Sequence, residues 1–200
     1  MVARIDVAES YDLTELPGTI GWERRIAGIR AHRPAAAQAV RDLAMALNDE
    51  STLPPRLVEL VRIRIAFHNQ CRSCMATRYT DGIDAGVTEE LVCSLERPLE
   101  ADDLSDAEKA ALRYADLYAT NHLAIDDAVY ASLREHFDEG ELVELAMRCA
   151  HMVGFGRMVA TLAVTDDLPE RFLEHREGPY TPWGGDVVVR PSPRSPAPAT

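Results

Sequence analysis

Hydrophobic positions along most of the chain recur every three or four residues, which is the spacing of one face of an α-helix. Strand-like stretches are scarce, apart from a short valine run at 187–189. After Pro54 and Pro55, the segment RLVELVRIRIAFH carries apolar residues around most of its circumference, so we expect a central, buried helix there. The pattern predicts an all-α fold, a compact bundle of about seven helices.

Local signals suggest where the later helices begin. Asn69 is a good N-cap, which predicts a new helix starting near Cys71 and running on through MATRYTDGIDAG. Ser105 and Glu108 have the spacing of a capping box. A long apolar helix is predicted to follow Gly140. The predicted helix after Asn69 places a Cys-x-x-Cys pair at a helix N-terminus.

The domain organisation follows from length and composition. With 200 residues, 46% of them hydrophobic, the chain can bury a sizeable core, and we expect one helical domain over residues 1–170. Residues 171–200 form a proline-rich tail. Its segment from Tyr180 to Trp183 is either part of a flexible tail or docks on a groove of this subunit or a neighbouring one.

Charge narrows the choice of partners. The chain carries 33 acidic and 21 basic residues, a net charge of −12, which repels phosphate backbones and anionic lipids. We therefore expect neither nucleic acid nor membrane as a partner. There is no apolar run of about 20 residues and no secretory signal pattern, so a cytoplasmic location is expected.

Cys71 and Cys74 are the most distinctive residues among only four cysteines. A structural zinc site needs about four ligands, and neither a second cysteine pair nor a suitable histidine pair is present, so no metal or other cofactor is expected. Ordinary buried thiols are an alternative. The polar neighbours and the predicted helix N-terminus, which lowers a thiol pKa, favour redox chemistry.

Glu59 lies in the middle of the apolar helix before the cysteines, where a carboxylate needs a partner or a task. Folding back of the next helix would bring the thiols beside it, and Glu59 would then take a thiol proton. The alternative is an ion pair with Arg62, three residues further along the same helix.

Glu59, Asn69, Cys71 and Cys74, with the segment GVTEELV at 86–92, resemble the core signature of the alkylhydroperoxidase-like, carboxymuconolactone decarboxylase superfamily over roughly residues 35–95. The resemblance implies that Cys74 attacks a small-molecule peroxide and that Cys71 resolves the sulfenic acid as a disulfide. It also implies that Glu59 serves as the relay base, that an unidentified thiol reductant recycles the disulfide, and that the chain forms a homo-oligomer, often a trimer or hexamer.

Two positions depart from the family pattern. Arg78 stands where the family has a histidine four residues after the second cysteine, and Ser73 replaces a frequent histidine between the cysteines. On the predicted helix, Arg78 would stabilise the Cys74 thiolate or bind Glu59. His68 or His151 would have to carry protons instead.

The sequence thus favours a thiol-dependent peroxidase or disulfide reductase. The alternative is a redox-silent helical member of the family, with a ligand-binding, lactone decarboxylase-like or structural role.

Overall fold

The computed structural model describes residues 3–13, 20–174 and 176–194, so the predicted domain 1–170 and tail 171–200 are each described in part. Within these ranges the chain forms nine α-helices, three single-turn 3₁₀ helices and a two-stranded sheet, which confirms the all-α prediction. The helices are α1 Gly21–Arg30, α2 Pro34–Asp49, α3 Pro55–His68, α4 Arg72–Ala76, α5 Thr80–Asp84, α6 Glu89–Ser94, α7 Asp106–Thr120, α8 Asp127–Arg134 and α9 Glu139–Leu162. The strands are β1 Thr77–Tyr79 and β2 Val188–Arg190, and the 3₁₀ turns are Pro98–Glu100, His122–Ala124 and Glu170–Phe172.

Helix α3 is the centre of the bundle, as its apolar circumference predicted. It packs against α4, α5, α7 and α9, and Leu60 and Ile63 are completely buried. Burying each such side chain contributes about 1.5–3 kcal/mol. Because α3 is covered on every side, any polar group on it must find its partner inside the protein.

Helices α7 and α9, from the C-terminal half of the chain, pack on α3, and each of them begins with a capping box. Ser105 and Glu108 cap α7 reciprocally, as the sequence predicts, and Asp138 and Glu141 do the same for α9. Each box satisfies N–H groups that the first helical turn leaves without partners. Helix α7 therefore starts where the sequence predicts, whereas α9 starts at Glu139, before the predicted start after Gly140.

The predicted continuous helix after Asn69 is wrong. Asn69 is the C-cap of α3, and the next residue, Gln70, has a left-handed backbone with φ of 50°. Cys71 then precedes a helix of only five residues, which ends at β1. This is one reason why there are nine helices instead of about seven.

Arg62 explains why α4 stops. Its guanidinium donates hydrogen bonds to the carbonyls of Cys74 and Thr77, at 2.8 and 2.7 Å. In a continuous helix, the carbonyl of Cys74 would accept from the N–H of Arg78. Tertiary hydrogen bonds thus replace helical ones, and the chain leaves α4 in an extended conformation.

Residues 176–194, the C-terminal strap, fold back on their own chain. Strand β2 pairs in parallel with β1, with Thr77 opposite Val188 and Tyr79 opposite Arg190. Earlier in the strap, the Trp183 ring packs against the Phe67 ring, and the two ring centroids are 5.0 Å apart. The strap therefore lies directly against the segment that follows the two cysteines.

Helices α2 and α9 leave apolar side chains exposed. Ala37 is the one buried residue of the 16-residue α2, and Leu43 lies on its exposed part. On α9, Val143 and Met147 are 58% and 46% exposed and stand one turn apart. No helix in the described ranges is both long and apolar enough to span a bilayer.

Candidate redox site

Cys71 and Cys74 are joined by a disulfide, with α4 closing the short loop between them. Cys71 is completely buried, whereas Cys74 is partly exposed, so Cys74 is the cysteine that a small molecule reaches first. The hydroxyl of Ser73 lies 3.7 Å from the Cys71 sulfur. The Cys74 side chain packs against an apolar cluster that includes Trp22 and Met75.

The two remaining cysteines stand apart from this pair. Cys93 is an exposed free thiol and Cys149 a buried one. Burial raises the pKa of the Cys149 thiol to about 12, so it is protonated and unreactive at neutral pH. Within the described ranges, no group of three potential ligand side chains lies close enough to hold a metal ion.

Glu59 forms the ion pair with Arg62 that the sequence analysis gave as an alternative. Arg62 donates from two nitrogens to the two carboxylate oxygens, each at 2.7 Å, and the Tyr79 amide donates to the same carboxylate at 3.0 Å. Burial alone would lower the pKa of Arg62, but the charge and hydrogen bonding of Glu59, with a smaller contribution from Tyr79, together outweigh it, and the pKa lies above its usual value. Arg62 therefore stays charged, and the pair links α3 to the end of α4.

Gly82 allows helix α5 to pack directly over the Glu59–Arg62 pair. A Cβ atom at Gly82 would lie 2.5 and 2.6 Å from the Cγ and Cβ atoms of Glu59, far inside van der Waals contact. Helix α5 can therefore approach α3 only because position 82 has no side chain. The requirement for glycine follows from tertiary packing, and no sequence signal identified it.

Arg78 is 1% exposed, and its guanidinium is fully engaged with groups other than Glu59. It pairs with Glu89 through two nitrogens, at 2.7 and 3.1 Å. It also donates to the carbonyls of Met75, Thr77 and Pro182, at 2.9, 3.0 and 2.7 Å. Because Arg78 lies in β1, it is not one helical turn beyond Cys74, and its direct action on the thiolate stays a prediction.

Replacing Arg78 with methionine is therefore expected to release the strap. The change leaves buried carbonyls without donors, which costs about 1–3 kcal/mol for each unsatisfied group. Urea denaturation should show the loss, and limited proteolysis should cut the strap faster than in the wild type. Arg78→Lys should recover little, because one ammonium cannot supply five fixed donors. Unchanged stability with an altered alkylation pKa of Cys74 would instead support a direct role.

The two histidines named as proton carriers lie in different surroundings. His68 is hydrogen-bonded through Nε2 to Asp116, at 2.6 Å. Burial would raise the pKa of Asp116, but hydrogen bonds from His68 and Arg64 lower it below its usual value. His151 has a buried Nδ1 without a hydrogen-bond partner, and burial, with the charges of Arg30 and Arg148, lowers its pKa.

Gln70 is a site residue that the sequence did not single out. Its side-chain amide donates to the Tyr180 carbonyl at 3.2 Å and accepts from the Tyr180 amide at 2.8 Å. The same side chain also donates to the Phe67 carbonyl. These bonds hold the left-handed turn just before Cys71. Nothing near Gln70 in the sequence reveals a partner 110 residues away.

Arg72, between the cysteines, reaches the same part of the C-terminal segment. It donates to the Phe172 carbonyl at 2.9 Å, and its guanidinium lies 5.4 Å from the centre of the Tyr180 ring. Gln70, Arg72 and Arg78 therefore all bind residues between 172 and 182. The disulfide lies in a frame built from α3 on one side and the C-terminal segment on the other.

Comparison with known proteins finds similarity over one part of the chain. Residues 34–117 match the carboxymuconolactone decarboxylase family. Uncharacterized proteins from two strains of Mycobacterium tuberculosis are each 42% identical over 95 residues, 46% of this chain and 33% of theirs. The match thus spans about a third of those relatives. Uncharacterized protein YdfG of Bacillus subtilis is 32% identical over 90 residues, 44% of this chain and 61% of its own.

Two solved structures share the fold. One is a protein of unknown function from Agrobacterium tumefaciens, suggested to be the antioxidant defence protein AhpD, with a TM-score of 0.61, 18% identity, and coverage of 70% of this chain and 96% of that one. The other is the alkylhydroperoxidase AhpD core of a peroxidase-related protein from Ralstonia eutropha JMP134, with a TM-score of 0.57, 22% identity, and coverage of 84% and 93%. Residues 34–117, which include the Cys71–Cys74 pair, thus match the carboxymuconolactone decarboxylase family, and the chain shares its fold with these two structures.

Proposed function

We propose that the protein is a thiol-dependent peroxidase in which Cys74 is the peroxidatic cysteine and Cys71 the resolving one. The observation that carries this is the bonded pair itself, with Cys74 partly exposed and Cys71 buried behind it. A peroxide that reaches the pair meets Cys74 first. Cys71 is already within bonding distance for the second step.

The chemistry balances in two steps. The Cys74 thiolate attacks a peroxide oxygen, so that an S–O bond forms, the O–O bond breaks, and the leaving oxygen departs with a proton as alcohol or water. Cys71 then attacks the sulfenic sulfur, the disulfide forms, and water leaves. An external thiol reductant returns both cysteines to thiols.

Glu59 acts in this proposal mainly through Arg62. The pair holds the Cys74 carbonyl and the Tyr79 amide, and so fixes where α4 ends and where the Cys74 side chain lies. For Glu59 to serve as the relay base, one carboxylate oxygen would have to exchange its bond to Arg62 for a proton. That role stays a prediction from the family resemblance.

We also propose that the protein works as a homo-oligomer in the cytoplasm. Reducing conditions there keep cysteine pairs available for turnover. The exposed apolar residues on α2 and α9, including Leu43, Val143 and Met147, would be covered by a second copy of the chain. The substrate is a small peroxide that enters beside Cys74.

The test is formation of the disulfide by peroxide. In a Cys93→Ser background, reduced and folded protein treated with one equivalent of hydrogen peroxide should lose two titratable thiols. Trypsin cuts after Arg72, so the disulfide should link peptide 65–72 to peptide 73–78. Turnover with dithiothreitol should consume peroxide repeatedly. If both thiols remain free in folded protein, the chain is a redox-silent family member.

A further inference from the structure

The C-terminal strap is anchored on the short stretch of chain that contains the cysteine pair, residues 70–79, the motif segment. The side chain of Gln70 exchanges two hydrogen bonds with the backbone of Tyr180. The guanidinium of Arg78 donates to the Pro182 carbonyl at 2.7 Å, and β2 of the strap pairs with β1. These anchors lie directly before and shortly after the disulfide loop. The strap and the disulfide therefore hold the same stretch of backbone.

Gln70 has a backbone conformation that persists only while its surroundings hold it. Its φ of 50° lies in the left-handed region, which is unfavourable for residues other than glycine. Its side chain is held by the two bonds to Tyr180 and by a third to the Phe67 carbonyl, at 2.7 Å. The disulfide holds the next residue, Cys71. If the backbone of Gln70 relaxes, its side chain changes direction and the bonds to Tyr180 are lost.

Helix α4 also depends on support from outside itself. It has five residues, fewer than a helix needs to be stable on its own in water. The disulfide ties its N-cap residue, Cys71, to Cys74 in its first turn. Arg72 of this helix binds the Phe172 carbonyl and lies against the Tyr180 ring. Breaking the disulfide removes a covalent constraint, so α4 then depends on noncovalent contacts, including those with the C-terminal segment.

We propose that the strap is coupled to the redox state of the pair: it docks firmly on the motif segment when Cys71 and Cys74 are bonded, and reduction loosens it. The reductant is an external dithiol. It becomes a disulfide as the Cys71–Cys74 bond breaks, and two electrons and two protons pass to the two sulfurs. Gln70 is left-handed in the docked state and relaxed in the loosened one. Because coupling is reciprocal, a docked strap also makes the pair harder to reduce.

The far end of the strap is held by residues outside the motif segment. Arg194 pairs with Asp81 at 2.5 Å and donates to the Asn48 carbonyl at 3.0 Å. The Asn48 side chain in turn donates to the Pro193 carbonyl at 2.8 Å. We therefore expect reduction to loosen the part of the strap around Tyr180 more than the end at Arg194. This difference separates the proposed coupling from a general loss of structure.

Hydrogen–deuterium exchange of the wild-type protein, before and after reduction with dithiothreitol, tests the coupling directly. We expect reduction to speed the exchange of backbone amides in residues 180–190 about fivefold or more, because the Tyr180 amide loses its acceptor and β2 its partner. Helix α7 provides the internal control and should exchange equally in both states. Equal exchange of residues 180–190 in the two states would overturn the inference.

Trp183→Ala tests the reciprocal effect, since it removes the ring that packs on Phe67 and leaves the motif segment unchanged. In a Cys93→Ser background, folded protein is equilibrated with fixed ratios of reduced and oxidised dithiothreitol, and free thiols are trapped by alkylation. We expect the equilibrium constant for reduction of the pair to rise about fivefold or more. The matched control is Tyr130→Ala, which removes a half-buried ring of α8 that packs 6.0 Å from the Tyr114 ring, and it should keep the wild-type constant.

The two variants separate strap docking from overall stability. An unchanged constant in Trp183→Ala would overturn the inference, and so would an equal rise in Tyr130→Ala, which would assign the effect to a general loss of stability. A pair that dithiothreitol cannot reduce in folded protein would overturn it as well. The coupling needs a reducible pair but no reaction with peroxide. A pair that dithiothreitol reduces and peroxide does not reoxidise would therefore overturn the proposed function and leave the coupling standing.

Discussion

Replacing Cys74 with serine should abolish peroxide reduction, leaving only the slow direct reaction between peroxide and the added thiol. The thiolate is the nucleophile, and a serine hydroxyl does not ionise at neutral pH. Cys71→Ser should behave differently, because Cys74 remains able to attack. It should consume one equivalent of peroxide, stop at the sulfenic acid, and be labelled at Cys74 by dimedone.

The difference between the two variants assigns the roles of the cysteines. Cys71 is completely buried and Cys74 is partly exposed, so the expected order of attack is Cys74 first. Dimedone labelling of Cys71 in a Cys74→Ser protein that still consumes peroxide would reverse the assignment. Cys93→Ser provides the control, since Cys93 is an exposed thiol outside the pair and its loss should leave turnover unchanged.

Replacing Arg62 with methionine should destabilise the folded protein by about 3–5 kcal/mol, because it leaves the Glu59 carboxylate buried without its partner. Glu59 is 3% exposed, and the carbonyls of Cys74 and Thr77 also lose their donor. Urea denaturation at neutral pH measures the loss. The double variant Glu59→Gln, Arg62→Met should recover much of it, since no unpaired charge remains.

Arg134 provides the matched comparison for Arg62. It pairs with Glu139 at 2.8 Å, but their side chains are 53% and 77% exposed, so water screens the pair. Arg134→Met should therefore leave the urea midpoint almost unchanged. Equal losses in Arg62→Met and Arg134→Met would mean that the Glu59–Arg62 pair is open to solvent and does not hold the end of α4.

Local sequence was enough to predict helices that are capped by nearby residues or that carry a clear apolar pattern. The capping box of Ser105 and Glu108 and the apolar circumference of α3 were enough to predict α7 and the central helix. The segment after Asn69 failed the same reasoning because its backbone partners are distant. The guanidinium of Arg62 donates hydrogen bonds to two backbone carbonyls of this segment. Strand β2, more than 100 residues further along the chain, pairs with its strand β1.

The features of the candidate site also fall into those that local spacing predicts and those that depend on distant residues. The i+3 spacing of Glu59 and Arg62 was enough to predict their ion pair as an alternative. The Cys-x-x-Cys spacing was enough to predict that the two cysteines could form a disulfide. The surroundings of Arg78 did not follow from spacing, because they depend on β1 and on the carbonyl of Pro182.

The C-terminal strap also sets the order in which the site can be completed during synthesis. Gln70 and Tyr180 are 110 residues apart, so the ribosome delivers the cysteines long before it delivers the residues that frame them. Contacts at such sequence separation form late in folding. A nascent chain therefore carries Cys71 and Cys74 without these contacts until the strap has been synthesised.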